Sequence, residues 1–195
     1  MTHDPLADLS AQLGQLLKRK GVMLATAESC TGGWVGQAIT AVSGSSEWFD
    51  RGFITYSNHA KHEMLGVSRD TLERFGAVSE ETAREMAVGA LFHSRAEVAL
   101  AITGVAGPNG GSAWTPVGTV CFGWATRTHG SPPGTPHGAA FVAPHAASST
   151  RKFRFEGDRE AVRRQSVLTA LHGMLEQVEK LPDAYGPPDP ARHAS

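Results

Sequence analysis

The sequence predicts an α/β fold, specifically a three-layer α/β/α sandwich with a mixed, mostly parallel sheet. Apolar runs of strand length, such as 22–29 and 97–107, alternate with segments of helical periodicity. Strands that are apolar on both faces are typical of a sheet covered by helices on both sides. A chain of 195 residues suits one hydrophobic core. We therefore predict one domain over residues 1–181, followed by a disordered tail over 182–195.

The first third of the chain predicts a helix, a strand and a second helix. Five leucines recur at helical spacing between positions 6 and 17, and Gly21 follows as a glycine C-cap. The buried strand at 22–29 comes next. The helical pattern then returns from Thr31 and is broken by the Ser/Gly segment 43–46.

The same alternation continues through the middle of the chain. Segment 48–57 predicts a second strand, and Ser57 is placed to cap a short helix that follows it. Segment 76–96 predicts a longer helix with Ser79 as its N-cap, and two glutamates suit the positive end of that helix.

The last part of the chain predicts more strands and a long closing helix. The apolar run 97–107 enters a glycine-rich loop, and segment 116–126 is rich in β-forming residues. Segments 141–146 and 151–157 are candidates for additional strands, and 158–180 predicts the helix. The Pro- and Gly-rich stretch from about His129 to Ala147 predicts an exposed loop.

Composition restricts the classes of partner. Lys and Arg total 18 against 19 Asp and Glu, which gives a net charge of -1 and no support for nucleic-acid or membrane binding. The two cysteines, Cys30 and Cys121, have no zinc-ligand spacing, so we expect no metal site and no cofactor. The N-terminus has no secretory pattern, and no stretch approaches the roughly 20 apolar residues of a membrane span. We expect a cytoplasmic protein with a small-molecule partner.

The segment TAESCTGG is the first candidate site. In open α/β sheets, ligands bind where strands end and helices begin. A helix starting near Thr31 would direct free backbone N–H groups toward a phosphate or an oxyanion above Ser29. The candidate substrate-binding residues of this turn are Cys30, Thr31, Gly32 and Gly33. Other interpretations stay open for Ser29 and Cys30. Ser29 could be only a helix cap. Cys30 could be a competing nucleophile or a buried packing residue.

The segment TYSNHAK is the second candidate, since it follows the second predicted strand. Tyr56 and Lys61 would lie at the same sheet edge as Ser29. A lysine acts as a base only when burial or a nearby cation lowers its pKa. Local sequence alone places Lys61 on a solvated helix surface and makes Tyr56 a strand-end aromatic.

The segment TGVAGPNGGS is the third candidate. Its glycine density would let a ligand approach the backbone closely, although it matches neither the P-loop nor the dinucleotide-binding pattern. Arg159 and Arg163, near the start of the last helix, would suit an anion or an ordinary surface ion pair. The candidate ligand-contacting residues of this segment are Thr103, Gly104, Gly107, Gly110 and Gly111.

Together these segments resemble the C-terminal domain family of the competence/damage-inducible protein CinA. The resemblance is carried, in order, by TAESCTGG, ITYSN, GAVSEETAREMA, ITGVAGPNGGS, PVGTV and GDREAVR, and it spans about residues 6–179. Enzymatic members of that family are nicotinamide-nucleotide amidohydrolases. The resemblance thus implies conversion of nicotinamide mononucleotide to nicotinate mononucleotide and ammonia, and a homodimer or larger homo-oligomer.

The resemblance also implies roles for individual residues. Ser29 corresponds to the nucleophile, Lys61 and Tyr56 to its proton-handling partners, and Thr103 and Gly104 to part of the substrate pocket. The stretch from about His129 to Ala147 is longer and richer in proline than the family pattern. Two alternatives accompany this expectation: a catalytically silent nucleotide-binding or interaction module, and an amidohydrolase acting on a related amide.

Overall fold

A mixed five-stranded sheet forms the centre of the computed structural model, which describes residues 4–128 and 146–183. The sheet order is β2-β1-β3-β4-β5. Strand β1 pairs in parallel with β2 and with β3, whereas β4 runs antiparallel to both of its neighbours, β3 and β5. Four of the strands therefore point the same way. The strands are β1 (Leu24–Glu28), β2 (Phe49–Ile54), β3 (Val98–Gly104), β4 (Thr119–Arg127) and β5 (Ala146–Arg154).

Helices cover both faces of this sheet, which confirms the predicted sandwich. Helices α1, α2 and α6 share one apolar cluster with the large side chains of the sheet, including Leu100 and Ile102. Helix α5 packs on the opposite face against alanines such as Ala99 and Ala101. The helices are α1 (Pro5–Lys20), α2 (Trp34–Thr40), α3 (Asn58–Leu65), α4 (Arg69–Phe75), α5 (Glu80–Phe92) and α6 (Arg159–Glu179).

Small residues set how closely the α5 layer approaches the sheet. A Cβ on Gly123 of β4 would collide with the backbone of Ala83 in α5. Strand β3 carries large residues on one face and alanines on the face toward α5. These short side chains let the helix lie close to the strands. Helix α5 therefore lies close to the sheet.

Most predicted elements are confirmed within one to three residues at their ends. Gly21 caps α1 with φ of 65°, and the Ser57 and Ser79 side chains accept hydrogen bonds from the backbone of α3 and α5. Helix α4 was not predicted: its seven residues contain few apolar positions, so a helical period is hard to detect. Within the described ranges, no helix is both long enough and apolar enough to cross a membrane.

Three predicted features fall mainly outside the described residues. The Pro-rich loop and the strand predicted at 141–146 lie almost wholly within 129–145, and the predicted tail lies mostly within 184–195. The strand predicted at 151–157 begins earlier, at Ala146, and forms the edge of the sheet as β5.

Candidate active site

The carboxyl ends of β1, β2 and β3 bring the three candidate segments to one edge of the sheet. The Ser29 N–H donates to the Ile102 carbonyl at 3.0 Å, and the Thr55 N–H donates to the Glu28 carbonyl at 2.8 Å. Because these strands are parallel, the residue that follows each strand lies at the same edge. The sequence-based expectation that the segments meet there is confirmed.

The turn after β1 is organised by the buried carboxylate of Glu28, which is 1% exposed. One oxygen accepts from the Thr31 hydroxyl at 2.7 Å and from the Gly33 and Val35 N–H groups at 3.0 Å. The other accepts from the Gly36 N–H at 2.9 Å. The carboxylate thus serves as the cap that α2 otherwise lacks, and its negative charge suits a helix N-terminus. Sequence reasoning missed Glu28, although an acidic residue just before a helix start is a recognisable capping signal.

The glycine pair shapes this turn, and its N–H groups are already bonded. Gly32 and Gly33 have φ of 60° and 93°, a region that residues with a Cβ rarely adopt. The Gly32 N–H donates to the Ser29 carbonyl at 3.0 Å, and the Gly33 N–H donates to Glu28. The N–H groups of Gly32 and Gly33 therefore already have acceptors within the turn. Among the described residues, the Thr31 N–H has no acceptor, and the Cys30 N–H has no partner beyond its own thiol.

Lys61 lies directly against the candidate nucleophile. Its Nζ is 3.0 Å from the Ser29 Oγ and also donates to the Thr55 carbonyl at 2.9 Å. The side chain is 2% exposed, so the local expectation of a solvated lysine is wrong. Burial removes water from the ammonium and lowers the pKa of Lys61 to about 8. A lysine poised in this way can exchange a proton with Ser29 near neutral pH.

Burial shifts the pKa of Cys30 in the opposite direction from that of Lys61. Cys30 is 6% exposed, and burial raises the pKa of its thiol to about 12. A thiol that stays protonated at neutral pH is a poor nucleophile, so of the two neighbours Ser29 is the better candidate. Cys121 lies fully buried in β4.

Tyr56 and Arg159 form a contact at the more open side of the site. Tyr56 is 61% exposed, and its hydroxyl accepts a hydrogen bond from Arg159 Nη2 at 2.8 Å. Arg159 Nη1 donates to the Gly107 carbonyl at 2.8 Å. The structure therefore joins the second segment, the glycine-rich loop and α6 through one guanidinium.

The other residues predicted around the substrate lie at the end of β3 and in the loop that follows it. The Thr103 hydroxyl donates to the Ala77 carbonyl at 2.6 Å, and a Cβ on Gly104 would lie 2.8 Å from the Thr119 carbonyl oxygen. Gly110 and Gly111 have φ of 91° and 80°. In the described part of the chain, no hydrogen bond joins these residues to Ser29 or Lys61.

The histidines of α3 have ordinary partners. His59 lies 3.3 Å from Glu63 on an exposed face, and the His62 Nδ1–H donates to the Val67 carbonyl at 2.9 Å. Over residues 4–128 and 146–183, no group of three or more His, Cys, Asp or Glu side chains is arranged to hold a metal ion. Both histidines thus have ordinary structural roles in α3.

The fold and the site together define a class: an α/β protein with a buried Ser–Lys pair at a strand-to-helix turn, next to two N–H groups that bond to no other residue of the described chain. Such an arrangement is suited to nucleophilic attack on a carbonyl carbon. The chain belongs to the CinA C-terminal domain family, whose model matches residues 6–131.

Several relatives extend the similarity over nearly the whole chain. Nicotinamide-nucleotide amidohydrolase PncC of Escherichia coli is 49% identical over 177 residues, which cover 91% of this chain and 97% of that protein. The protein of the same name from Pseudomonas putida is 44% identical over 89% of this chain and 97% of its own length. The crystal structure of competence/damage inducible protein CihA from Agrobacterium tumefaciens matches with a TM-score of 0.79 and 40% identity, covering 92% of this chain and 100% of that one.

Proposed function

We propose that this protein is a nicotinamide-nucleotide amidohydrolase that converts nicotinamide mononucleotide to nicotinate mononucleotide and ammonia. The observation that carries the proposal is the 3.0 Å contact between Lys61 Nζ and Ser29 Oγ in a buried site. The names of the relatives at 44% and 49% identity supply the substrate class. The geometry supports Ser29 as the nucleophile, Lys61 as the base and backbone N–H groups as donors to a developing negative charge.

In the first half of the reaction, the Ser29 Oγ attacks the carboxamide carbon while its proton passes to neutral Lys61. The short Nζ to Oγ distance supports direct transfer between these two groups. The N–H groups of Cys30 and Thr31 would hold the oxyanion of the tetrahedral intermediate. Protonated Lys61 then gives its proton to the amide nitrogen, the C–N bond breaks, and ammonia leaves an acyl ester on Ser29.

In the second half, Lys61 takes a proton from a water molecule that attacks the ester carbon. A second tetrahedral intermediate uses the same two N–H groups. Its collapse breaks the bond to the Ser29 Oγ, which regains a proton from Lys61 and leaves a carboxylic acid. The acid loses its proton to solvent, and the carboxylate product leaves. The hydrogen bond from Nζ to the Thr55 carbonyl holds the amine in place for both transfers.

The Tyr56–Arg159–Gly107 contact is the proposed substrate-binding side of the site. Arg159 already uses two guanidinium nitrogens to join the β2–α3 connection to the glycine-rich loop. A planar guanidinium is well suited to a phosphate group, and glycine lets that group approach the loop backbone. Since the Tyr56 hydroxyl bonds to Arg159, we assign Tyr56 mainly to substrate positioning rather than to a proton relay.

The test is ammonia release from nicotinamide mononucleotide by the purified protein and by four variants. Ser29→Ala and Lys61→Met should lose turnover by at least about 10²–10⁴-fold, because each removes a reacting group. Cys30→Ala is the matched control beside the nucleophile and should stay within a few-fold of wild type. Tyr56→Phe should raise KM more than it lowers kcat.

Two results would contradict the proposal in different ways. Binding of the nucleotide without release of ammonia would favour a silent nucleotide-binding module. Full activity of Ser29→Ala would instead show that the reaction uses another nucleophile. The resemblance to the family also supports a homodimer or larger assembly, which light scattering on the purified chain can test.

A further inference from the structure

A second arginine of α6 lies against the nucleophile turn on its carbonyl side. Arg163 Nη2 donates to the Thr31 carbonyl at 2.7 Å, and its Nε donates to the Cys30 carbonyl at 3.2 Å. The guanidinium carbon lies 5.2 Å from the centre of the Trp34 ring, within the range of a cation–π contact. Both carbonyl groups belong to the turn that immediately follows Ser29.

The Cys30 carbonyl and the Thr31 N–H are the two ends of one peptide unit. A trans peptide is planar, so its C=O and N–H point in opposite directions. A side chain that fixes the carbonyl therefore also fixes the direction of the N–H. The Thr31 N–H has no acceptor among the described residues.

A positive charge at the carbonyl also strengthens the N–H as a donor. Hydrogen bonds in series polarise one another, and a charged donor has a larger effect than a neutral one. Arg163 would therefore make the Thr31 N–H a stronger donor to negative charge. Its effect would be greatest when an oxyanion forms, and smaller when the neutral carboxamide is bound.

We propose that Arg163 is a positioning residue for the oxyanion. It aligns and polarises the Cys30–Thr31 peptide from the carbonyl side of that peptide, without touching the substrate. This inference rests on the proposed function, because it requires an oxyanion at this turn. It separates two arginines that lie one helical turn apart. Arg159 bonds to Tyr56 and Gly107 at the more open side of the site, whereas Arg163 bonds to the carbonyl side of the turn.

The test compares Arg163→Met and Arg163→Lys with Arg164→Met. Methionine keeps much of the packing on Trp34 but donates no hydrogen bond, and lysine provides a charge that cannot span two carbonyls as the guanidinium does. Arg164 is the matched control, because it is the next residue of α6 and pairs with Asp4 at the surface. Thermal melting of each variant reports whether the fold persists.

Removal of a direct oxyanion donor costs about 10²–10³-fold in kcat, and weakening one should cost less. We expect Arg163→Met to lower kcat by roughly 10–100-fold with KM changed less than about threefold, and Arg163→Lys to be intermediate. The pH midpoint of kcat/KM should not move, because Arg163 does not contact Lys61. Arg164→Met should keep wild-type kcat.

A second measurement separates positioning from a general structural role. An aldehyde analogue of the substrate can form a tetrahedral adduct with Ser29 and should bind Arg163→Met more weakly by about the same factor as kcat/KM. Affinity for the product nucleotide should change little. Wild-type kcat in Arg163→Met, or equal losses of affinity for aldehyde and product, would overturn the proposal. An inactive wild type, or an active Ser29→Ala, would instead count against the proposed function itself.

Discussion

The protonation of Lys61 gives the sharpest prediction about activity. The pKa of this buried amine is lowered to about 8, and only the neutral form can accept the Ser29 proton. The neutral fraction is then about 1% at pH 6, about 9% at pH 7 and half at pH 8. The value of kcat/KM should rise about tenfold from pH 6 to 7 and about fivefold from pH 7 to 8, and should level off above pH 9.

Ammonia release measured at low and at saturating substrate gives the profiles of kcat/KM and kcat. The proposed substrate carries a permanent pyridinium charge, which disfavours a second positive charge beside it and should lower the Lys61 pKa further. The midpoint of the kcat profile should therefore lie below that of kcat/KM. Lys61→Arg, which keeps the charge but has no neutral form in this range, should be inactive throughout. A flat kcat/KM profile between pH 6 and 8.5 would refute the assignment of Lys61 as the base.

Three further predictions concern the side chains around the turn. Cys30→Ser should keep activity within about threefold, because the protonated thiol has no proposed role in the reaction. Because the thiol stays protonated near pH 7, alkylation of wild-type Cys30 should be slow at that pH. Glu28→Gln should lower the free energy of unfolding by about 2 kcal/mol, because an NH₂ group replaces one of the oxygens that accept hydrogen bonds; urea unfolding beside the exposed Glu63→Gln tests this, and equal stability of the two would count against it. Between about pH 8 and 10.5 the unfolded state keeps the Lys61 proton that the folded state has lost, so the free energy of unfolding should rise with pH. Relative to Lys61→Met, the free energy of unfolding of the wild type should increase by about 2 kcal/mol from pH 7 to 9.5.

Local sequence patterns were sufficient for most of the fold because each depends on residues close together in the chain. The leucines of α1 repeat at helical spacing and stop at Gly21, and Ser57 and Ser79 cap the helices that they precede. The apolar runs that became β1 and β3 indicated a covered sheet. Helix α4 escaped prediction because it has little apolar periodicity of its own.

The position of the candidate site also followed from the sequence, because the ends of parallel strands meet at one edge. Ser29, Tyr56 and Thr103 each lie at or just after the end of a predicted strand. Chemistry-bearing residues could therefore be placed at one edge before any contact between them was known.

The tertiary structure alone decided the environment of those residues. Lys61 is buried because α3 packs with its Nζ between Ser29 and Thr55, and this burial lowers its pKa. Nothing in the helix sequence distinguishes it from a solvated lysine. Arg163 reaches the turn from a helix more than 130 positions along the chain, so no local pattern could reveal that contact. Sequence determines which side chains lie at the sheet edge, whereas desolvation and long-range hydrogen bonds depend on packing between distant segments.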